Sequence, residues 1–197
     1  MTSRYFLDPY IIHLIGKDKK ILDIGCGKGK WGFLIKTSYQ QPKKIIGIDI
    51  WLQYLKYSKH HKVYDDVVLA DARYLPIKDS SFDVVLGCEI LEHLSSSVDG
   101  DKLLKEAERV CKEKVIISTP HELQEQGEVD SNPFQKHRIR WRPKDLKKRG
   151  YRVYGIGFSL LGHFSTPKLR IALSPLAYYC PIFGYLLIAE KYLNKDK

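Results

Sequence analysis

Two groups of residues in this 197-residue chain have the types and spacing to do chemistry. The first is Cys88-Glu89-Ile90-Leu91-Glu92-His93, which sets two carboxylates and an imidazole at i, i+3 and i+4. On a helix, all three would point to one side. Mixed oxygen and nitrogen donors of this kind suit a divalent cation. Without a cation, an imidazole that titrates near neutral pH is a natural general base. His93 is one candidate base, and His137, in Lys136-His137-Arg138-Ile139-Arg140-Trp141, is another.

The second group is a glycine-rich turn with three acids around it. Asp23 precedes Gly25-Cys26-Gly27-Lys28-Gly29, Asp49 closes the segment KIIGIDI, and Asp71-Ala72 follows a short apolar run. Glycines let backbone approach a ligand closely, and the helix that follows offers its free N–H groups. An acid before the glycines can hold an amino-acid end, one at Asp49 a ribose diol, and one at Asp71 an adenine amino group. Gly27, Gly29 and Gly32 also satisfy G-x-G-x-x-G, so a nicotinamide dehydrogenase competes. A dinucleotide explains Asp49 but makes no demand for Asp23 or Asp71.

These residues need a scaffold, and the chain predicts one. Short β-branched runs alternate with helical patterns, the signature of βαβ units and a parallel sheet. Strands are expected at 21–24, 44–50, 67–70, 82–88 and 114–119, the last stopped by Pro120. Helices are expected at 31–39, from Leu52, through Leu94 and over 99–111. His121 to Pro133 is polar and reads as a loop over the sheet's edge. A helix at 143–149 and strands at 151–158 and 185–190 complete the domain. Residues 159–184 form an apolar insertion between those last two strands. One domain over 1–197 is expected, with no repeat and no low-complexity linker.

The segments ILDIGCGKGKWG, IIGIDI, LADARYLPIKDSSFDVVLG and CEILEHL resemble the successive motifs of class I S-adenosylmethionine-dependent methyltransferases. They are similar in particular to the methyltransferase-domain families that include ubiquinone-biosynthesis enzymes, over roughly residues 20–120. The resemblance implies a doubly wound, Rossmann-like α/β fold of seven strands, mostly parallel with an antiparallel last strand. It implies that Asp23, Gly25 and Gly27 hold the methionine part, Asp49 the ribose, and Asp71 with Ala72 the adenine. Cys26, Gly29, Ile50 and Cys88 complete that cofactor-contacting set. E-x-x-E-H also resembles a pattern of some ubiquinone-biosynthesis O-methyltransferases and of small-RNA terminal 2′-O-methyltransferases. There it is associated with a divalent metal, and the RNA enzymes add a histidine shortly before a tryptophan. By that likeness Glu89, Glu92, His93 and His137 would hold Mg²⁺ or Mn²⁺. The same pattern is widespread in methyltransferase domains with no established metal.

The methyl acceptor is less legible. The net charge is +10, and Lys136 to Arg152 holds nine Lys or Arg against Asp145 alone. Such a patch suits RNA, an anionic membrane surface or a phosphorylated substrate, with Trp141 available to stack on a base. The uncharged stretch 171–189 is broken by Pro175, Pro181 and Gly184, which disfavours a spanning helix and leaves a lid, a membrane-resting patch or plain core packing beneath the sheet. The leading expectation is methylation of a hydroxyl on a small or lipid-linked substrate. The alternatives are a metal-dependent RNA 2′-O-methyltransferase and a catalytically silent cofactor-binding partner subunit. Oligomeric state is left open. Four scattered cysteines and a first ten residues without an apolar run predict a cytoplasmic protein, with membrane-peripheral placement also compatible.

Overall fold

A computed structural model describes residues 7–121, 126–158 and 173–193. The elements in chain order are α1 (Asp8–Ile15), β1 (Lys20–Ile24), α2 (Lys30–Lys36), β2 (Lys44–Asp49), α3 (Leu52–His60), β3 (Asp66–Leu69) and β4 (Phe82–Cys88). There follow a 3-10 turn (Leu91–His93), α4 (Ser97–Val110), β5 (Cys111–Pro120), a 3-10 turn (Pro133–Gln135), α5 (Pro143–Lys147), β6 (Arg152–Phe158), a short helix (Ser174–Tyr179) and β7 (Gly184–Tyr192). The strands make one seven-stranded sheet in the order β3-β2-β1-β4-β5-β7-β6. β7 runs antiparallel between β5 and β6, and the β1–β2, β1–β4, β2–β3 and β4–β5 pairings are parallel. This is the doubly wound, Rossmann-like α/β sheet with an antiparallel last strand.

The central strands are apolar on both faces because helices cover both. Alternation along each strand sends successive residues to opposite layers. Leu22, Ile46, Val85 and Ile117 join the layer under α4 and α5. Ile21, Ile45, Leu86 and Ile116 join the layer under α1, α2 and α3. Strand order reverses between β1 and β4, and that switch point opens the crevice in which such sheets take ligands.

Three details depart from the sequence reading. An N-terminal helix, α1, buries Ile11, Ile12 and Ile15, a helical spacing behind Pro9 that was legible but not read. β5 extends through Pro120, which pairs with Leu186. Trp141 is not available to stack on a base: it is 2% exposed and part of the core. Its indole N–H donates to the Leu91 carbonyl at 3.1 Å, and its ring fills the space that a Cβ on Gly100 of α4 would need.

Of the apolar insertion, residues 159–172 lie outside the described residues. The rest forms the helix Ser174–Tyr179 and the 3-10 turn Pro181–Phe183. Among the described residues, no helix is long and apolar enough to cross a membrane. Because Trp141 joins the 3-10 turn to α4, Trp141→Ala is expected to lower unfolding stability by about 3–5 kcal/mol. Denaturant melts of the two proteins check this.

Candidate active site

An open cleft lies beyond the carboxyl ends of the parallel strands, where doubly wound sheets take their ligands. Gly25, Ile48, Asp49, Ile50, Ala70, Asp71, Ala72 and Arg73 line one part, and Glu89, Ile90, His93, Asn132, Phe134 and Arg138 another. Of the sequence-predicted cofactor residues, Gly25, Asp49, Ile50, Asp71 and Ala72 thus face the cleft. Asp23, Cys26 and Cys88 are buried behind its wall, while Gly27 and Gly29 shape the turn.

The turn is held by strand β2. Gly25 and Cys26 N–H groups both donate to the Ile48 carbonyl, at 2.8 and 2.9 Å. Gly25 has φ +74°, and a Cβ there would strike the Ile90 side chain at 2.7 Å, so only glycine fits this point of the cleft wall. Asp49 locks the other end: its two carboxylate oxygens accept the N–H groups of Gly27 at 2.9 Å and Trp51 at 2.8 Å. Asp49 lines the cleft, and a carboxylate has about four acceptor positions, which leaves it capacity for a diol.

Asp23 is fully buried. Its Oδ2 accepts the Tyr64 hydroxyl at 2.5 Å, while its Oδ1 has no partner. Burial pushes its carboxyl up to about 7. An orphaned buried carboxylate oxygen beneath a glycine turn fits a ligand that brings a cationic amino group. Asp71 is gripped by Arg73, with Nε at 3.0 Å from Oδ1 and Nη2 at 2.6 Å from Oδ2. That guanidinium, also 3.2 Å from Asp99, holds the Asp71 carboxyl below its usual value. The cleft fits an adenosyl group bearing an amino-acid tail.

Across the cleft, the E-x-x-E-H run is not helical as expected. Glu89 takes φ +55°, and only Leu91–His93 form a single 3-10 turn. Glu89 therefore parts from Glu92 and His93. Glu89 Oε1 accepts the Ser118 hydroxyl at 3.1 Å. Glu92, 2% exposed, accepts the Thr119 hydroxyl at 3.0 Å. Glu92, His93 and His137 offer ligand atoms all within 4.8 Å of one another, and Glu89 is outside that trio. The two imidazoles lie 4.9 Å apart between ring centroids, and His93 is on the cleft wall. His121 is directed elsewhere, with Nδ1 2.9 Å from the Gly184 carbonyl.

Sequence reasoning missed four contributors. Arg73 stands two residues after Asp71, and its backbone N–H closes an Asx turn at 2.9 Å, a local signal that could have been read. Tyr64 is 41 residues from Asp23 and left no such signal. Asn132 and Phe134 reach the cleft because their loop is clasped to the glycine turn. There Asp130 takes Lys28 at 2.7 Å and the Tyr54 hydroxyl at 3.0 Å.

A family model described as a methyltransferase domain matches residues 22–118. The chain is 32% identical to an uncharacterized protein of Methanocaldococcus jannaschii over 183 residues, covering 91% of this chain and 73% of that protein. It is 27% identical over 177 residues to a protein of Encephalitozoon cuniculi named as a methyltransferase, covering 82% and 78%. The crystal structure of a SAM-dependent methyltransferase from Archaeoglobus fulgidus superposes with a TM-score of 0.64 at 18% identity, over 97% of this chain and 95% of that one. With the motif order, the switch-point cleft and its acids, these likenesses make the chain a member of the class I S-adenosylmethionine-dependent methyltransferases.

Proposed function

We propose that this methyltransferase acts on a hydroxyl oxygen, with the His93–His137 pair beside Glu92 as its proton-handling group. The observation that carries the reading is that His93 lines one wall of the cofactor cleft with His137 and the buried Glu92 offering ligand atoms within 4.8 Å of its own. S-adenosylmethionine supplies a methyl group on a sulfonium, whose thioether is a neutral leaving group. A hydroxyl is a weak nucleophile, so the protein's task is to hold it in line, exclude water and take its proton. In this reading the proton goes to an imidazole, as the methyl–oxygen bond forms and the carbon–sulfur bond breaks. Glu92, anchored by Thr119, stabilises the imidazolium. On the cofactor side, Asp49 accepts from the ribose diol, Asp71 held by Arg73 meets the adenine edge, and Asp23 Oδ1 receives the amino group.

A second reading is favoured by the same trio: Glu92, His93 and His137 would hold Mg²⁺ or Mn²⁺, and such a cation would lower the pKa of the acceptor hydroxyl. Here Glu89 stays with Ser118.

Calorimetric titration with S-adenosylhomocysteine tests the cofactor assignments. Binding is expected, and Asp49→Ala is expected to weaken it at least about tenfold. Unchanged affinity in Asp49→Ala would remove Asp49 from the site.

For the acceptor side, labelled methyl transfer into cell extract is expected to fall about 10²–10⁴-fold in His93→Ala or His137→Ala. Equal rates in both variants and the parent would sink the base assignment. Activity abolished by EDTA and restored by Mn²⁺ supports the metal reading, and indifference to EDTA supports the imidazoles alone.

Asp23 adds a pH signature. Its folded pKa of about 7 lies above the usual carboxylate value near 4. The native state therefore keeps a proton that the unfolded chain has released. Stability falls as pH rises from about 4 to about 7, by at most about 4 kcal/mol. Denaturant unfolding is expected to show this slope in the parent and to lose it in Asp23→Asn.

A further inference from the structure

Residues 136–142 form an extended strap that runs into the first turn of α5, and the side chains alternate from Lys136 to Lys144. Lys136, Arg138, Arg140, Arg142 and Lys144 are exposed, while His137 and Ile139 are half-buried and Trp141 and Pro143 are buried. The inward residues fasten the strap. Ile139 and Trp141 pack on the core, and the Arg138 and Ile139 N–H groups both donate to the Glu92 carbonyl, at 2.8 and 3.2 Å. At its start the His93 ring Nδ1 lies 3.3 Å from the Lys136 carbonyl. What remains outside is a row of four cations with a repeat of about 6.6 Å, two residues of extended chain, continued by Lys144 on the first turn of α5. Among the described residues none of the five is paired with a carboxylate. Arg140 Nε donates to the His121 carbonyl at 2.7 Å, which fixes its guanidinium in the row.

From this row we infer that the strap is a track for a single-stranded polyphosphate backbone, and that the methyl acceptor is a single-stranded RNA. The chemical part rests on the hydroxyl-transfer reading above, since every ribonucleotide carries a hydroxyl. The binding part rests on the strap alone. A one-dimensional row at two-residue spacing matches successive phosphodiesters along one strand better than it matches a flat surface. Its first members lead into the cleft: Arg138 lines it beside His93. Phe134, 42% exposed, stands at the same mouth as a platform for a base. A membrane dock would need apolar side chains projecting between the cations, and here Ile139 and Trp141 point inward.

The test is fluorescence anisotropy with a labelled 20-nucleotide single-stranded RNA across a salt series. The parent protein is expected to bind with a slope of log K against log salt near about −3.5, the value for five phosphates. The variant Arg140→Gln/Arg142→Gln/Lys144→Gln, which leaves the cleft wall intact, is expected to reduce that slope by about 2 and to weaken binding at low salt by about tenfold or more. A variant that melts like the parent yet binds RNA with the same slope overturns the track. So does a parent that ignores RNA but sediments with phosphatidylserine vesicles through the same three cations. Calorimetry with S-adenosylhomocysteine on the same samples separates the two claims. Lost cofactor binding would sink the methyltransferase assignments while leaving the RNA isotherms to be judged by themselves.

Discussion

A single hydrogen bond under the floor of the cleft organises much of this protein: the Tyr64 hydroxyl donates to the buried Asp23 carboxylate at 2.5 Å. The same hydroxyl accepts the Gly32 N–H at 3.2 Å, so Tyr64 ties α2 to the end of the first strand. The ring needs room, and it finds room only over residues without side chains. A Cβ on Gly32 would meet it at 2.7 Å, and one on Gly47 at 3.0 Å. Part of the glycine pattern that imitates a dinucleotide fingerprint thus makes space for a tyrosine. Burial raises the Tyr64 hydroxyl well beyond its usual pKa, so it stays protonated and keeps a proton to donate to Asp23.

From that bond the site divides into a preorganised half and an adaptable half. On the cofactor side, nearly every polar group has an internal tether: Asp49 by two backbone N–H groups, Asp71 by a guanidinium. Such tethers hold carboxylates in place before any ligand arrives, and spare the entropy of ordering them on binding. The Asp23 Oδ1 atom is the exception, and an unsatisfied buried oxygen is costly unless a ligand completes it. On the acceptor side, Glu92 joins several parts of the chain. Its side chain takes Thr119 of β5, and its carbonyl takes two N–H groups of the basic strap. The imidazole of His137 is brought to His93 by that backbone attachment.

The glycine turn, the three acids and the strand–helix rhythm were legible because they are local. An acid or a glycine at a strand end reads the same wherever the chain goes next. The seven-stranded, mostly parallel sheet with an antiparallel last strand followed from family resemblance and is what the chain adopts. The helix assigned to Glu89–His93 was not legible. Spacing at i, i+3 and i+4 is satisfied equally by a helix and by a tight irregular turn. Here the fourth and fifth strands hold the Glu89 backbone at a positive φ, through its N–H on the Ser118 carbonyl at 2.8 Å. Trp141 illustrates the same limit. Among cations it reads as a stacking platform, and only its place opposite Gly100 makes it core.

By itself, then, the amino-acid sequence determined the fold class, the cofactor and the identity of the residues at each strand end, since period and turn chemistry are properties of neighbouring residues. Tertiary structure alone decided which of those residues meet. It separated Glu89 from Glu92, drew His137 across forty-odd positions to His93, and put Tyr64 under Asp23. It also turned a basic stretch into an ordered row. The reason is physical: these outcomes depend on which backbone carbonyls and which gaps between side chains lie across the fold, and nothing in a local pattern encodes the far side of a contact.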